Sequence, residues 1–281
     1  MGEGGVGDKT VKIDLGAVQE TLVIPLWARA QETVKKNPIV YDPYAKDIID
    51  RIDYDFSKIE AGQGDHQKIW ALRAYNFDVI VRNLLSRYED TVIVNIGAGL
   101  DTSYQRVNNG KLLWINLDLP DVVALRQKLI PDSEREITIA KSVFDFTWID
   151  DITQQTLDRP IMFLAGGVLC YFEEPEVEQL FRKLAELFPS AHVVFDAMSS
   201  LTVRKSNKEV LKKSGIDSAA ILKWHLNRAS DLRKWIGSIK IIDDYSILSG
   251  LPDKHSLRWF EVLGLKIAGM FRLYNIVHVQ F

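Results

Sequence analysis

Residues 92–120, VIVNIGAGLDTSYQRVNNGKLLWINLDLP, bring together side chains suited to holding a nucleoside. A β-branched run over residues 91–96 ends in Gly97-Ala98-Gly99, and a second apolar run over 112–117 delivers Asp118-Leu119 at its carboxyl end. Strand, tight glycine turn, short helix, strand and acid make up the first half of a nucleotide-binding α/β sheet. In that arrangement the turn lies against the ligand and the acid accepts from both ribose hydroxyls. Thr102 stands where the third glycine of the dinucleotide fingerprint belongs. That counts against a nicotinamide dehydrogenase, whose pyrophosphate needs close backbone approach, and leaves adenosyl ligands without phosphates open.

Two further positions could complete such a site. Arg73 falls on an apolar stripe formed by Ile69, Phe77, Ile80 and Leu84. A buried guanidinium is costly unless an anion meets it, so Arg73 is half of a structural ion pair, a snorkelling rim residue, or a clamp on a ligand carboxylate. Asp145 and Phe146 put an acid beside an aromatic in the loop after a third strand pattern. There they could read an adenine amino group and ring nitrogens, or Asp145 could simply cap a helix.

The elements that must position these residues follow from periodicity. Helical spacing runs through residues 14–35, with Pro25 as an expected kink, through a short helix opened by Pro43, and through a long helix capped by Asp65. From residue 91 to 196, strand and helix patterns alternate, with further strands at 135–140, 161–165 and 192–195. Alternation of this kind predicts a doubly wound, mostly parallel sheet with its site along the strand carboxyl ends. Residues 199–237 read as a helical insertion carrying Trp224, His225 and Trp235, and residues 238–281 as a strand, a helix and a final strand. That closing unit predicts an antiparallel C-terminal strand. The boundaries expected are a flexible tail over 1–14 and one domain over 15–281, with a helical cap over 15–90 and a nucleotide-binding core over 91–198.

Composition narrows the function. A net charge of −3 gives no basic footprint for nucleic acid, and no apolar run reaches the ~20 residues of a membrane span. One cysteine, Cys170, rules out an intrachain disulfide and fits a reducing, cytoplasmic setting. The five histidines are scattered without metal-ligand spacing, and neither a P-loop nor a nucleophile elbow is present.

Taken in order, WARAQET and YDPYA, then LRAYNFD, VNIGAGLDT, LDLPDV, FDFTW, AGGVLCYF and VVFDA, and the late KWHL and IIDDYSIL, give the chain a recognisable set of motifs. It resembles the S-adenosylmethionine-dependent methyltransferases that include leucine carboxyl methyltransferase and the tetracenomycin-type polyketide O-methyltransferases. The resemblance spans roughly residues 20–281. It implies a Rossmann-like class I fold of seven strands, with S-adenosylmethionine as donor and S-adenosylhomocysteine as product. By position it implies that Arg73 binds the methionine carboxylate and that Gly97, Ala98 and Gly99 pass beneath the methionyl and ribose portion. Asp118 would hold the ribose hydroxyls, and Asp145 and Phe146 would read the adenine. Where the family carries an acid that contacts the methionine ammonium, this chain has Gly166. The ammonium would then fall to backbone carbonyls, water or another acid such as Asp101, and donor binding would weaken.

Methyl transfer from a sulfonium is an in-line displacement in which alignment carries much of the rate. A carboxylate acceptor needs no base, whereas a hydroxyl benefits from one. His225 in the insertion is a candidate base and Tyr171, just past the fourth strand, a candidate acceptor contact; each is equally readable as a packing residue. The function expected is O-methylation of a small molecule, such as a polyketide-like metabolite, at a hydroxyl or carboxyl oxygen. Carboxyl methylation of a protein C-terminus and a donor-binding protein without transferase activity are the alternatives.

Overall fold

The computed structural model describes residues 11–12, 17–57, 59, 67–156, 159–212, 221–251 and 254–281. Most of the expected tail, the Asp65 cap and residues 213–220 of the insertion lie outside the described residues. Within the tail, Val11–Lys12 pairs in parallel with Ile52–Asp53, a two-residue ladder that the sequence pattern did not predict.

Seven strands form the main sheet: β1 (Val92–Ile96), β2 (Leu113–Asp118), β3 (Glu136–Ala140), β4 (Ile161–Ala165), β5 (His192–Met198), β6 (Lys240–Ser246) and β7 (Tyr274–Gln280). Their order is β3-β2-β1-β4-β5-β7-β6. The first five are parallel, and β7 runs antiparallel to both β5 and β6. The central strands are mostly apolar, and β4 wholly so, because both faces are covered. Val92, Val94 and Ile96 pack with Phe163, Phe195 and Trp148 on one face. Ile93, Trp114, Met162 and Val194 pack on the other, against Leu72, Phe77, Ile80 and Leu84.

The helices are α1 (Ala17–Thr33), α2 (Pro43–Arg51), α3 (Gln67–Leu85), α4 (Ser103–Val107), α5 (Pro120–Leu129), α6 (Thr147–Thr156), α7 (Glu174–Leu187), α8 (Ser200–Lys212) and α9 (Trp259–Met270). Helix α1 runs through Pro25 without interruption. Asp42 caps α2, accepting from the Ala45 N–H at 2.9 Å, with Pro43 opening the helix.

Among the described residues of the insertion, only Ser200–Lys212 is α-helical. Beyond α8, residues 221–228 are irregular and Ala229–Lys234 is a 3₁₀ turn. Trp224 and Leu226 are buried while Lys223 and His225 are exposed, an alternation of two that fits extended chain rather than helix. The buried pair joins the core beside Phe195. Among the described residues no helix is long and apolar enough to cross a membrane.

His192 and His278 face one another diagonally across β5 and β7, with Nδ1 and Nε2 2.8 Å apart. Burial, with the His278 and Arg87 charges adding to it, pushes His192 from 6.5 down to about 4. His278 is also lowered by burial, although Asp243 opposes that shift. An unfolded chain takes up protons as pH falls through about 6.5, whereas the folded pair resists until lower pH. The stability this pair contributes is therefore full above that pH and lost as pH falls towards the folded values. Wild type should lose more melting temperature between pH 7.5 and 4.5, on the order of a few degrees, than His192→Phe. Equal pH slopes would contradict this.

Candidate functional site

The carboxyl ends of the central strands open onto a cavity of about 510 Å³, walled by α1, α3, the loops after β1, β2, β3 and β4, and the last residues of β5. This is within the roughly 300–1,000 Å³ of small-molecule sites and sits where open α/β sheets bind ligands.

The glycine turn forms its floor. Gly97 and Gly99 have φ of 64° and 49°, the left-handed region that favours glycine. A Cβ on Gly97 would lie 2.7 Å from Val168 Cγ2. The Gly97 and Ala98 N–H groups donate to the Leu117 carbonyl at 2.8 and 3.3 Å, tying the turn to β2. Two buried arginines hold the turn's carbonyls from beneath. Arg29 of α1 donates to Leu100 O at 3.0 Å. Arg126 of α5 donates to Gly99 O at 3.0 Å and Asp101 O at 2.7 Å, and pairs with Glu136 at 2.7 Å.

A buried charge network continues behind the turn. Asp42 receives Arg29 at 2.8 Å and Arg106 at 2.6 Å, and Arg106 also pairs with Asp78 at 2.7 Å. Burial alone would raise the Asp42 carboxyl, but Arg106 and Arg29 hold it below its ordinary value. Thr102 joins this network: its hydroxyl donates to Asp42 and accepts from Arg106 at 2.9 Å. The absent third glycine is thus a polar tie between turn and cap.

Asp118 lines the cavity at the end of β2. Its Oδ2 accepts from the Gly99 N–H and its Oδ1 from the Leu119 N–H, both at 2.7 Å. Burial raises its pKa, against the pull of those two N–H groups. Each oxygen keeps a lone pair for a further donor. Leu119 lines the same wall while remaining 46% exposed.

At the other side Arg73 turns into the cavity with its Nη1 3.2 Å from Asp196 Oδ2. The ion-pair and clamp readings of Arg73 therefore meet in one geometry, an ion pair at the cavity wall. Asp196 Oδ1 accepts from the Gly167 N–H at 2.5 Å. Gly166 and Tyr171 also line the cavity. Burial raises the Tyr171 phenol to about 12 and the Cys170 thiol to about 12, so both are protonated near neutral pH.

Three of the expected residues lie elsewhere. Asp145 is exposed, and its Oδ1 accepts from the N–H and hydroxyl of Thr147 at 3.2 and 2.7 Å, a local turn leading into α6. Those bonds hold its pKa below the ordinary value. Phe146 packs against the core, and it is Lys141, Ser142 and Val143 of that loop that line the cavity. His225 is exposed and outside the cavity, turned away by the alternation that buries Trp224 and Leu226. Residues not anticipated are Arg29, Asp42, Arg106, Arg126 and Asp196. The first two belong to the motifs WARAQET and YDPYA; nothing local in the sequence pairs them.

Comparison with known proteins places this geometry. A model of the leucine carboxyl methyltransferase family matches residues 23–185. The tetracenomycin polyketide synthesis O-methyltransferase TcmP of Streptomyces glaucescens is 29% identical over 238 residues, 84% of this chain and 85% of that protein. The S-adenosyl-L-methionine-dependent methyltransferase dpfgK of Gibberella zeae is 26% identical over 280 residues, 93% of each chain. Among solved structures, a DUF574 family protein from Streptomyces avermitilis aligns with a TM-score of 0.58 at 14% identity, covering 90% of this chain and 96% of that one. A Thermobifida fusca protein aligns with a TM-score of 0.59 at 11% identity, covering 90% and 93%. These two show the shared class I fold. The family match covers more than half of the chain, and the chain belongs to the leucine carboxyl methyltransferase family of S-adenosylmethionine-dependent methyltransferases.

Proposed function

We propose that this enzyme transfers a methyl group to a hydroxyl or carboxyl oxygen of a small molecule, with polyketide-like compounds as the first acceptors to try. The observation that carries the reading is the near full-length alignment with a relative named as a polyketide synthesis O-methyltransferase. An apolar and aromatic wall formed by Tyr171, Phe172, Met198, Leu222 and Tyr274 in the cavity supports it.

The residues present fit the donor. Bare backbone at Gly97 and Gly99 leaves room at the floor, Asp118 keeps lone pairs for ribose hydroxyls, and Arg73 offers a guanidinium for a carboxylate. When bound, S-adenosylmethionine supplies a methyl group on a positively charged sulfur, a good leaving group. The chain's task is then to align an acceptor oxygen with that methyl group and to exclude water. Leu119 and the 142–143 loop are positioned for the adenine side, while Tyr171 and Phe172 are positioned for the acceptor.

No histidine among the described residues lines the cavity, and the protonated Tyr171 and Cys170 are poor bases. The arrangement therefore favours an acceptor that is already anionic, a carboxylate or an acidic phenol. Across a panel of phenols, the pH midpoint of kcat/KM should follow the acceptor's own ionisation. A common midpoint near the ~6.5 of an enzyme imidazole, whatever the acceptor, would contradict this. Methyl transfer measured over phenols, small carboxylic acids and a peptide ending in leucine tests the substrate class. Transfer to the peptide alone would replace the small-molecule reading with protein carboxyl methylation.

A further inference from the structure

Asp196 belongs to the VVFDA motif but was assigned no ligand there, and the strand register sets it beside the gap left at Gly166. The β4–β5 ladder ends with Ala165 opposite Phe195, so Gly166, just past β4, lies beside Asp196, which is still within β5. Asp196 lines the cavity and keeps 17% of its side chain exposed, as does Arg73. One carboxylate oxygen is held by the Gly167 N–H and the other faces Arg73 Nη1 at 3.2 Å.

The backbone at 166–167 is shaped around this pair. Gly167 has φ of 72°, and a Cβ there would lie 2.3 Å from Arg73 Nη1. The guanidinium lies directly over that glycine. Gly166 is different: its φ is ordinary, and the atoms nearest a Cβ there belong to the Phe77 ring, Cε2 at 3.1 Å and Cδ2 and Cζ at 3.8 Å. The absence of a side chain at 166 is therefore not required by backbone conformation. Asp101, the other acid considered for this task, is already committed: it accepts from Asn95, the Ser103 N–H and the Ser103 hydroxyl, and lies 4.0 Å from both Arg29 and Arg106.

The amino-acid end of the donor is a zwitterion, with a carboxylate and an ammonium on one carbon. A partly solvated Arg–Asp pair is its charge complement, and each member can exchange its mutual contact for the opposite charge of the ligand. We propose that Asp196 is the ammonium-binding residue of this enzyme, carrying on β5 the negative charge that is missing at the end of β4. The proposal rests on the reading of this cavity as the donor site. It also changes the expectation for Gly166: donor binding is not weakened by the glycine, because the charge has moved rather than vanished.

Calorimetric titration with S-adenosylhomocysteine and with its deaminated analogue, in which hydrogen replaces the α-amino group, tests this. Wild type should prefer the amine by about 10- to 150-fold, the range of one charge-assisted hydrogen bond. Asp196→Asn should lose most of that preference while binding the deaminated analogue within about threefold of wild type. Gly166→Glu placed in the Asp196→Ala background should restore it. A folded Asp196→Asn that keeps the full preference would overturn the proposal, as would a variant that loses methyl-transfer rate with an altered pH profile and unchanged preference, the signature of a base acting on the acceptor. Should the variants not fold, wild type alone decides: equal affinity for the two ligands overturns the assignment. Failure of wild type to bind either ligand would instead remove the donor-site reading itself.

Discussion

Replacing Arg106 by methionine is expected to lower the free energy of unfolding by about 3–5 kcal/mol, the cost of stranding buried charge. Melting should fall on the order of 10 °C. Arg106 is 4% exposed and grips Asp78 with two nitrogens, at 2.7 and 2.9 Å, while its third reaches Asp42 at 2.6 Å. Asp42 would retain Arg29, but Asp78 would keep only the half-exposed Arg82 at 3.9 Å. Burial already raises the Asp78 carboxyl despite Arg106, so without the guanidinium it should take up a proton. Asp78→Asn in the Arg106→Met background should then recover part of the loss, because it supplies a neutral group in advance. A double variant no more stable than the single one, measured by chemical denaturation, would show that the cost lies in packing instead.

Gly97→Ala is expected to abolish measurable donor binding. Alanine at a φ of 64° costs about 1–3 kcal/mol of backbone strain. Its Cβ would also lie 2.7 and 2.9 Å from Val168 Cγ2 and Cβ, an overpacking cost of about 1–3 kcal/mol. Either Val168 or the turn must move, and both border the cavity. Gly110→Ala is the control: its φ is 78°, and a Cβ there would meet nothing within 4 Å. It should show the strain cost in stability and leave donor affinity intact. Equal affinities for the two variants would exclude Gly97 from the site.

Some of this molecule is legible in the sequence because local pattern carries it. The central strands are largely apolar runs followed by Gly97, Asp118, Gly166 and Asp196, so the ends of the first three, and the cavity there, follow from punctuation, while β5 runs two residues past Asp196 to Met198. Arg73 declares itself as a charge on an apolar stripe. The support of the site is not local. Arg29 meets Asp42 across 13 residues and Leu100 across 71, and Arg106 meets Asp78 across 28. A helix pattern shows only that each arginine falls on a face, not which carboxylate closes on it. Asp196 reads simply as a strand terminus until the β4–β5 register sets it beside Gly166. His225 shows the reverse error: the residues around it were read with helical spacing, while Trp224 and Leu226 obey the strand-like alternation that turns the imidazole outward.

The claim on which the rest depends is that the cavity over Gly97–Gly99 holds the methyl donor with Asp118 on its ribose. Titration of S-adenosylhomocysteine into wild type and Asp118→Ala tests it most directly. The account predicts one site per chain in wild type, weakened about 5- to 150-fold in the variant, the loss of hydrogen bonds to a charged acceptor. No binding to wild type, or unchanged affinity in a folded Asp118→Ala, would contradict it.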